Sequence, residues 1–116
     1  MLINASAGFE PGALRGVKAD VVMLGTGSLG AREEAFRDAY WNEVVATTGA
    51  RRIIPIHWDD FIFLGAGSPR LPPPRVMGDF DVTMRFLMAR AKRDNVDIRM
   101  PRDYEAMDVW EGLAAP

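Results

Sequence analysis

The sequence predicts an α/β fold: a largely parallel sheet with two amphipathic helices on one of its faces. Short, apolar, β-branched runs are typical of buried strands, two longer segments repeat apolar residues at helical spacing, and the two kinds of segment follow each other along the chain. Their order is strand, strand, helix, strand, long loop, helix, strand. Parallel strands joined by right-handed crossovers are the usual outcome of such an order. The length of 116 residues fits a single domain, residues 1–116.

Four segments have the composition of strands. LINAS, at residues 2–6, is a short apolar run, and VDIRM, at 96–100, alternates apolar with charged residues. DVVMLG, at 20–25, is continuously apolar, as expected for a strand covered on both faces of a sheet. RRIIPI, at 51–56, is similar, but its Pro55 removes one hydrogen-bond donor from the ladder. We therefore expect an edge or a bulge at that position.

Two segments have the apolar period of an α-helix. The first spans residues 32–48, and Gly49 is suited to end it in a left-handed conformation. Its apolar positions recur every four residues: Phe36, Tyr40 and Val44. The second helix begins near Asp79. Its apolar positions lie on one face: Phe80, Met84, Leu87, Met88 and Ala91. The stretch before it, residues 61–78, is predicted to be a long proline-rich loop.

The two central strands pose a burial problem. Two helices cover only part of a sheet, whereas the runs at 20–25 and 51–56 are apolar on both faces. We therefore expect the second face to be covered by another copy of the chain or by a segment outside it.

Composition narrows the class of protein. The net charge is -2 and the basic residues are scattered, which argues against a nucleic-acid partner. There is no cysteine, so disulfides, thiolate metal ligands and cysteine nucleophiles are excluded. The N-terminal segment lacks the features of a signal peptide, and no apolar run approaches bilayer-spanning length. We expect no membrane partner and, by default, a cytoplasmic location.

A glycine-rich motif follows the second strand. GTGSLG, at residues 25–30, has the G-x-G-x-x-G spacing of dinucleotide-binding loops and stands between a strand and a helix. Such sites also need an acidic residue about twenty positions later, to bind the ribose. Arg51 and Arg52 occupy that region, so we favour a strand-to-helix loop over a nucleotide site.

The single histidine, His57, is the main candidate for chemistry. It follows an apolar strand, and ligands collect at the carboxyl ends of strands in α/β sheets. Asp59 and Asp60 come two and three residues later; in an extended chain Asp59 points to the same side as His57. Histidine is a common zinc ligand, and a nearby carboxylate orients its ring. The alternative is a histidine that packs at a strand end and binds a backbone carbonyl.

Two stretches together resemble a known family. SAGFEPGALRGVKADVVMLGTGSLG and YWNEVVATTGARRIIPIHWDDF are similar to the C-terminal half of metallo-β-lactamase-superfamily hydrolases, in the branch related to ascorbate-phosphate lactonase. The resemblance covers residues 2–64, and its most specific element is I-P-x-H-W-D-D-F. It implies half of an αββα sandwich in which His57 matches the last metal-binding histidine. Family members use zinc, manganese or iron to activate water against an ester, lactone, amide or phosphodiester.

The chain also departs from that family. Its 116 residues contain no H-x-H-x-D-H, the main metal motif, which belongs to an N-terminal half. The position of a metal-bridging aspartate falls near Ser6, and because serine is a poor zinc ligand we do not expect a two-metal site.

Counting ligands sets the expectation for activity. A catalytic zinc needs about three protein ligands, and the sequence offers His57, with Asp59 or Asp60 as catalytic or supporting carboxylates. We expect the chain alone to be inactive and to need a second copy or a separate N-terminal half to act on a small-molecule substrate. The alternatives are a non-catalytic α/β module that dimerises or pairs with such a half and, less favoured, nucleotide binding through GTGSLG.

Overall fold

The sheet has four parallel strands in the sequential order β1-β2-β3-β4. The computed structural model describes residues 1–58, 80–102 and 104–115. The strands are β1 (Leu2–Asn4), β2 (Val21–Gly25), β3 (Arg52–Ile56) and β4 (Asp97–Ile98). The predicted α/β class and parallel sheet are therefore confirmed, and each predicted strand is present, although β1 and β4 are shorter than expected. The predicted proline-rich loop lies outside the described residues.

Two helices accompany the sheet. Helix α1 (Glu34–Trp41) continues as a π-helical turn (Asn42–Ala46), and helix α2 spans Phe80–Asp94. A single turn of 3-10 helix (Leu29–Ala31) precedes α1. The predicted helix over 32–48 is confirmed in place, and its wider last turn buries both Val44 and Val45. Neither helix is long and apolar enough to cross a bilayer, and the same is true throughout the described part of the chain.

Both helices pack on the same face of the sheet. One core cluster joins this face of β2 and β3 to α1, its π-helical turn and α2. Its main members are Val22, Leu24, Ile53, Tyr40, Trp41, Val44, Val45, Phe86, Leu87 and Ala91. Right-handed crossovers between sequential parallel strands place every connecting helix on one side, which explains the arrangement. Each fully buried large aliphatic side chain contributes roughly 1.5–3 kcal/mol to this core.

The second face is covered in part by the chain itself. Val21 and Ile54 point to it and are only 0% and 1% exposed. Arg52 lies on the same face, and its Nη1 donates a hydrogen bond of 2.8 Å to the carbonyl of Val109. The segment after β4 therefore runs across this side of the sheet. The expectation that only another copy or an outside segment would cover these residues was wrong, although Ile3 on β1 remains 58% exposed.

Pro55 marks the point at which β3 loses one neighbour. The carbonyl of Ile53 accepts a hydrogen bond of 3.0 Å from Arg99 N on the β4 side. Backbone groups alternate in direction along a strand, so residue 55 faces the same side. The next donor in this ladder would be the missing N–H of Pro55, and β4 ends at Ile98. The expected local edge is confirmed, while β2 still pairs with β3 through Ile56.

The far ends of the two helices are tied by one carboxylate. Buried Trp41 donates from Nε1 to Asp94 Oδ2 over 2.7 Å. The guanidinium of Arg93 binds both oxygens of the same carboxylate at 2.6 and 2.7 Å. Hydrogen bonds from Arg93 and then Trp41 lower the pKa of Asp94 to about 2. The folded state therefore favours the ionised carboxylate.

This carboxylate should contribute to acid sensitivity. A pKa that is lower in the folded than in the unfolded chain gives stability that is present above the ordinary pKa, near 3.8, and lost as the pH falls towards about 2. We expect Asp94→Asn to be less stable at pH 7 and to lose less stability than the wild type between pH 4 and 2. Urea unfolding at several pH values measures this, and equal slopes would contradict the assignment.

Candidate functional site

The candidate site lies where β1, β2 and β3 end. Because the strands are parallel, their carboxyl ends share one edge of the sheet, and the segments that follow them meet there. These segments begin at Ala5, Thr26 and His57. The sequence placed GTGSLG and His57 in separate motifs, and the fold makes them neighbours.

His57 has an unusual backbone conformation. It follows the last residue of β3, is exposed, and has φ 56°, in the left-handed region. For a residue with a side chain this conformation costs about 1–2 kcal/mol and is found most often at turns and functional sites. It also ends the extended chain at His57. The argument that strand alternation would direct Asp59 to the same side as His57 therefore fails.

Asp59 and Asp60, the predicted catalytic or supporting carboxylates, lie outside the described residues. Trp58 is described: its ring packs against Phe80 at the start of α2, with a centroid distance of 6.1 Å and an angle of 56° between the planes. This contact fixes the start of α2 to the end of β3. Trp58 thus has a packing role.

The glycine loop lies directly against His57. A Cβ atom on Gly27 would be 3.0 Å from Nδ1 and 3.1 Å from Cε1 of the His57 ring. Any larger residue at position 27 would therefore push the ring out of its present position. The next residue, Ser28, is also left-handed, with φ 60°. Thr26 joins the two segments, because its backbone N and its Oγ1 both donate to the carbonyl of Ile56, at 2.9 and 3.0 Å.

Gly25 lies very close to the backbone that follows β1. A Cβ atom there would lie 2.6 Å from the backbone of Ala5 and of Ser6, well inside contact distance. Ser6, which the sequence resemblance matches to a metal-bridging aspartate, is thereby placed beside the end of β2. Its carbonyl accepts a hydrogen bond of 2.7 Å from Asn4 Nδ2. The short strand β1 therefore ends in a tightly held turn.

Tyr40 stabilises this turn through hydrogen bonds of its side-chain hydroxyl. Its buried hydroxyl accepts a hydrogen bond of 2.9 Å from Asn4 Nδ2 and donates one of 2.7 Å to the carbonyl of Gly25. Burial raises the pKa of Tyr40 well above its usual range, so the phenol stays protonated at any physiological pH. The sequence assigned Tyr40 to helix packing only. The one hint it carried was that a tyrosine on a buried face needs a polar partner.

These contacts account for Gly25 and Gly27 of GTGSLG. In a dinucleotide fold such glycines allow a pyrophosphate to approach, whereas here their close neighbours are the backbone of the β1 turn and the ring of His57. Helix α1 begins only at Glu34, and the carboxylates of Glu33 and Glu34 stand at its N-terminus, where they disfavour an anion. The geometry therefore favours a packing loop over a nucleotide site.

Whether the described residues can bind a metal ion depends on the number of ligands that they provide. His57 offers one imidazole at an exposed edge. Within residues 1–58, 80–102 and 104–115, no three His, Cys, Asp or Glu side chains are grouped so as to hold a metal ion. The described residues thus provide one donor of the roughly three that a catalytic zinc requires.

No protein family, curated protein or solved structure matched this chain significantly in comparisons of sequence and fold. The similarity to metallo-β-lactamase-superfamily hydrolases therefore depends on the sequence features alone.

The close approach at Gly25 gives a direct test of the edge. We expect Gly25→Ala to destabilise the chain by about 1–3 kcal/mol or more, because the new methyl group would meet immovable backbone. Gly8→Ala is the matched control: its Cβ would meet Ser6 Oγ at an ordinary 3.8 Å, so the change should stay within about 0.5 kcal/mol. Urea unfolding measures both, and equal effects would contradict the described packing.

Proposed function

We propose that this chain is the C-terminal half of a metallo-β-lactamase-like, metal-dependent hydrolase. In this proposal His57 is a metal ligand, Asp59 or Asp60 is the supporting carboxylate, and the remaining ligands come from a separate N-terminal half or a second copy. The expected substrates are small esters, lactones or phosphodiesters. The cytoplasmic location expected by default belongs to the same proposal.

The observation that most supports this proposal is the placement of His57. Its left-handed backbone projects an exposed imidazole from the carboxyl end of β3, and Gly27 leaves room for the ring. A histidine that only filled a strand end would be expected to be buried against the core. The surrounding edge is also firmly held, through Thr26 on one side and Tyr40 on the other.

The described residues do not form a complete metal site, so no reaction step is assigned to them. Zinc, manganese or iron would supply the activation of water for hydrolysis. The role of this chain is to position His57 against Gly27 and to hold Ser6 beside Gly25 at the end of β2. Completing the coordination sphere would require donors that approach the same edge.

Metal titration tests the proposal. We expect zinc binding to the purified chain to weaken by at least about 10- to 100-fold in His57→Ala, because a ligand is lost. Asp59→Asn and Asp60→Asn identify the supporting carboxylate by the larger loss. Asp20→Asn is the control, since Asp20 precedes β2 at the opposite edge of the sheet, where it pairs with Arg51 at 3.0 Å.

Two outcomes of the titration would contradict the proposal. If His57→Ala bound zinc as tightly as the wild type, His57 would not be a ligand. If the isolated monomer bound one zinc with nanomolar affinity, the site would be complete within one chain, and the half-site would be wrong.

A second candidate is a non-catalytic α/β module that dimerises. It is favoured by the absence of a metal-binding group among the described residues and by the open edge at β1, where Ile3 remains 58% exposed on the second face. An exposed apolar residue on an unpaired edge strand is a typical site for association.

Sedimentation equilibrium tests this candidate. We expect a dimer whose dissociation constant rises at least about tenfold in Ile3→Arg, because a charge would be buried at the interface. Met88→Arg is the matched control: Met88 is similarly exposed, at 61%, but lies on α2. A wild-type monomer at all concentrations, or equal effects of the two variants, would exclude association through this edge.

A further inference from the structure

The C-terminal segment, residues 104–115, is joined to the second face of the sheet but is itself largely exposed. Val21, Arg52 and Ile54 are at most 2% accessible, as in the interior of a large protein. Yet no residue between Tyr104 and Ala115 is buried, and Tyr104 and Trp110 are 94% and 45% exposed. The C-terminal segment thus keeps its exposure to solvent while Val109 is bonded to buried Arg52.

Three arginines attach the C-terminal segment to the sheet. Arg52 Nη1 donates to the carbonyl of Val109 at 2.8 Å, and Arg51 Nη1 donates to the carbonyl of Ala114 at 2.7 Å. Arg99 Nη1 binds the carboxylate of Glu111 at 3.0 Å.

Most of these attachments are weak. Arg99 is about one-third exposed and Glu111 is 72% exposed, so solvent and salt screen their ion pair. Arg51 is similarly open to solvent, and its guanidinium binds both the carbonyl of Ala114 and the carboxylate of Asp20. Only Arg52 is buried, and its Nε already binds Asp97 at 2.6 Å. Segments with few buried apolar contacts open at lower free energy than the core beneath them.

We propose that the C-terminal segment is a displaceable strap, which opens as a unit and uncovers the apolar second face while the rest of the fold stays intact. Arg51, Arg52 and Arg99 form its latch, and Met100 to Arg102 connect it to β4. Opening exposes Val21 and Ile54 on the two central strands. The inference concerns segments of this chain alone and holds whether or not the proposed hydrolase function is correct.

Thiol labelling tests the strap, because the natural chain has no cysteine. Ile53 and Ile54 are adjacent in β3, are equally buried and face opposite sides of the sheet. In this proposal a cysteine at Ile54 lies beneath the strap, whereas Ile53 belongs to the core cluster on the helix side. We expect Ile54→Cys to react with a small thiol reagent at least about ten times faster than Ile53→Cys, and faster still at higher salt.

A second substitution tests the latch. Glu111→Gln removes the ion pair with Arg99, so the labelling of Ile54→Cys should become several times faster and that of Ile53→Cys should not change. Glu105→Gln is the matched control, since Glu105 pairs at 3.4 Å with Arg102, which lies outside the strands. If a cysteine in β3 prevents folding, Val21→Cys and Val22→Cys give the same comparison on β2.

Three results would overturn the inference. Equal labelling rates for the two faces would mean that the second face opens only on global unfolding. Labelling at Ile54 as fast as that of a free thiol would mean that the segment does not cover the face. A rate unchanged by Glu111→Gln would mean that the latch does not control the opening.

Discussion

The central strands β2 and β3 must be covered on both faces, and the rest of the structure depends on that constraint. Val22 and Ile53 point to one side, and Val21 and Ile54 point to the other. Right-handed crossovers place α1 and α2 on the first side only. On the second side, the irregular C-terminal segment is joined to Arg51, Arg52 and Arg99 by hydrogen bonds and an ion pair.

The same parallel arrangement produces the candidate site. Three strands end at one edge, and their loops approach so closely that a side chain at position 25 would meet backbone and one at position 27 would press against His57. The buried hydroxyl of Tyr40 then joins the end of β1 to the end of β2. An exposed, left-handed His57 stands on this rigid base.

Local sequence patterns predicted the elements well for clear physical reasons. The run before Gly25 is continuously apolar because both sides of β2 are buried, and the four-residue repeat through Tyr40 marks the buried face of α1. Pro55 predicted a local edge because a residue without an N–H group is tolerated in a strand where no neighbouring carbonyl needs a hydrogen bond from it. The ends of β1 and β4 were harder to predict from the sequence. A strand ends where its pairing with the neighbouring strand ends, and not where its own apolar pattern changes.

The sequence by itself therefore determined the order of the elements, the parallel sheet and the position of its only histidine at a strand end, because periodicity and glycine or proline placement act over a few residues. Tertiary structure alone decided that Gly27 lies against His57, that Tyr40 ties two strands together and that Arg52 binds the carbonyl of Val109. Those contacts join residues that are 15 to 57 positions apart. No local pattern encodes such pairs, because they exist only once the strands have aligned and both faces of the sheet have been covered.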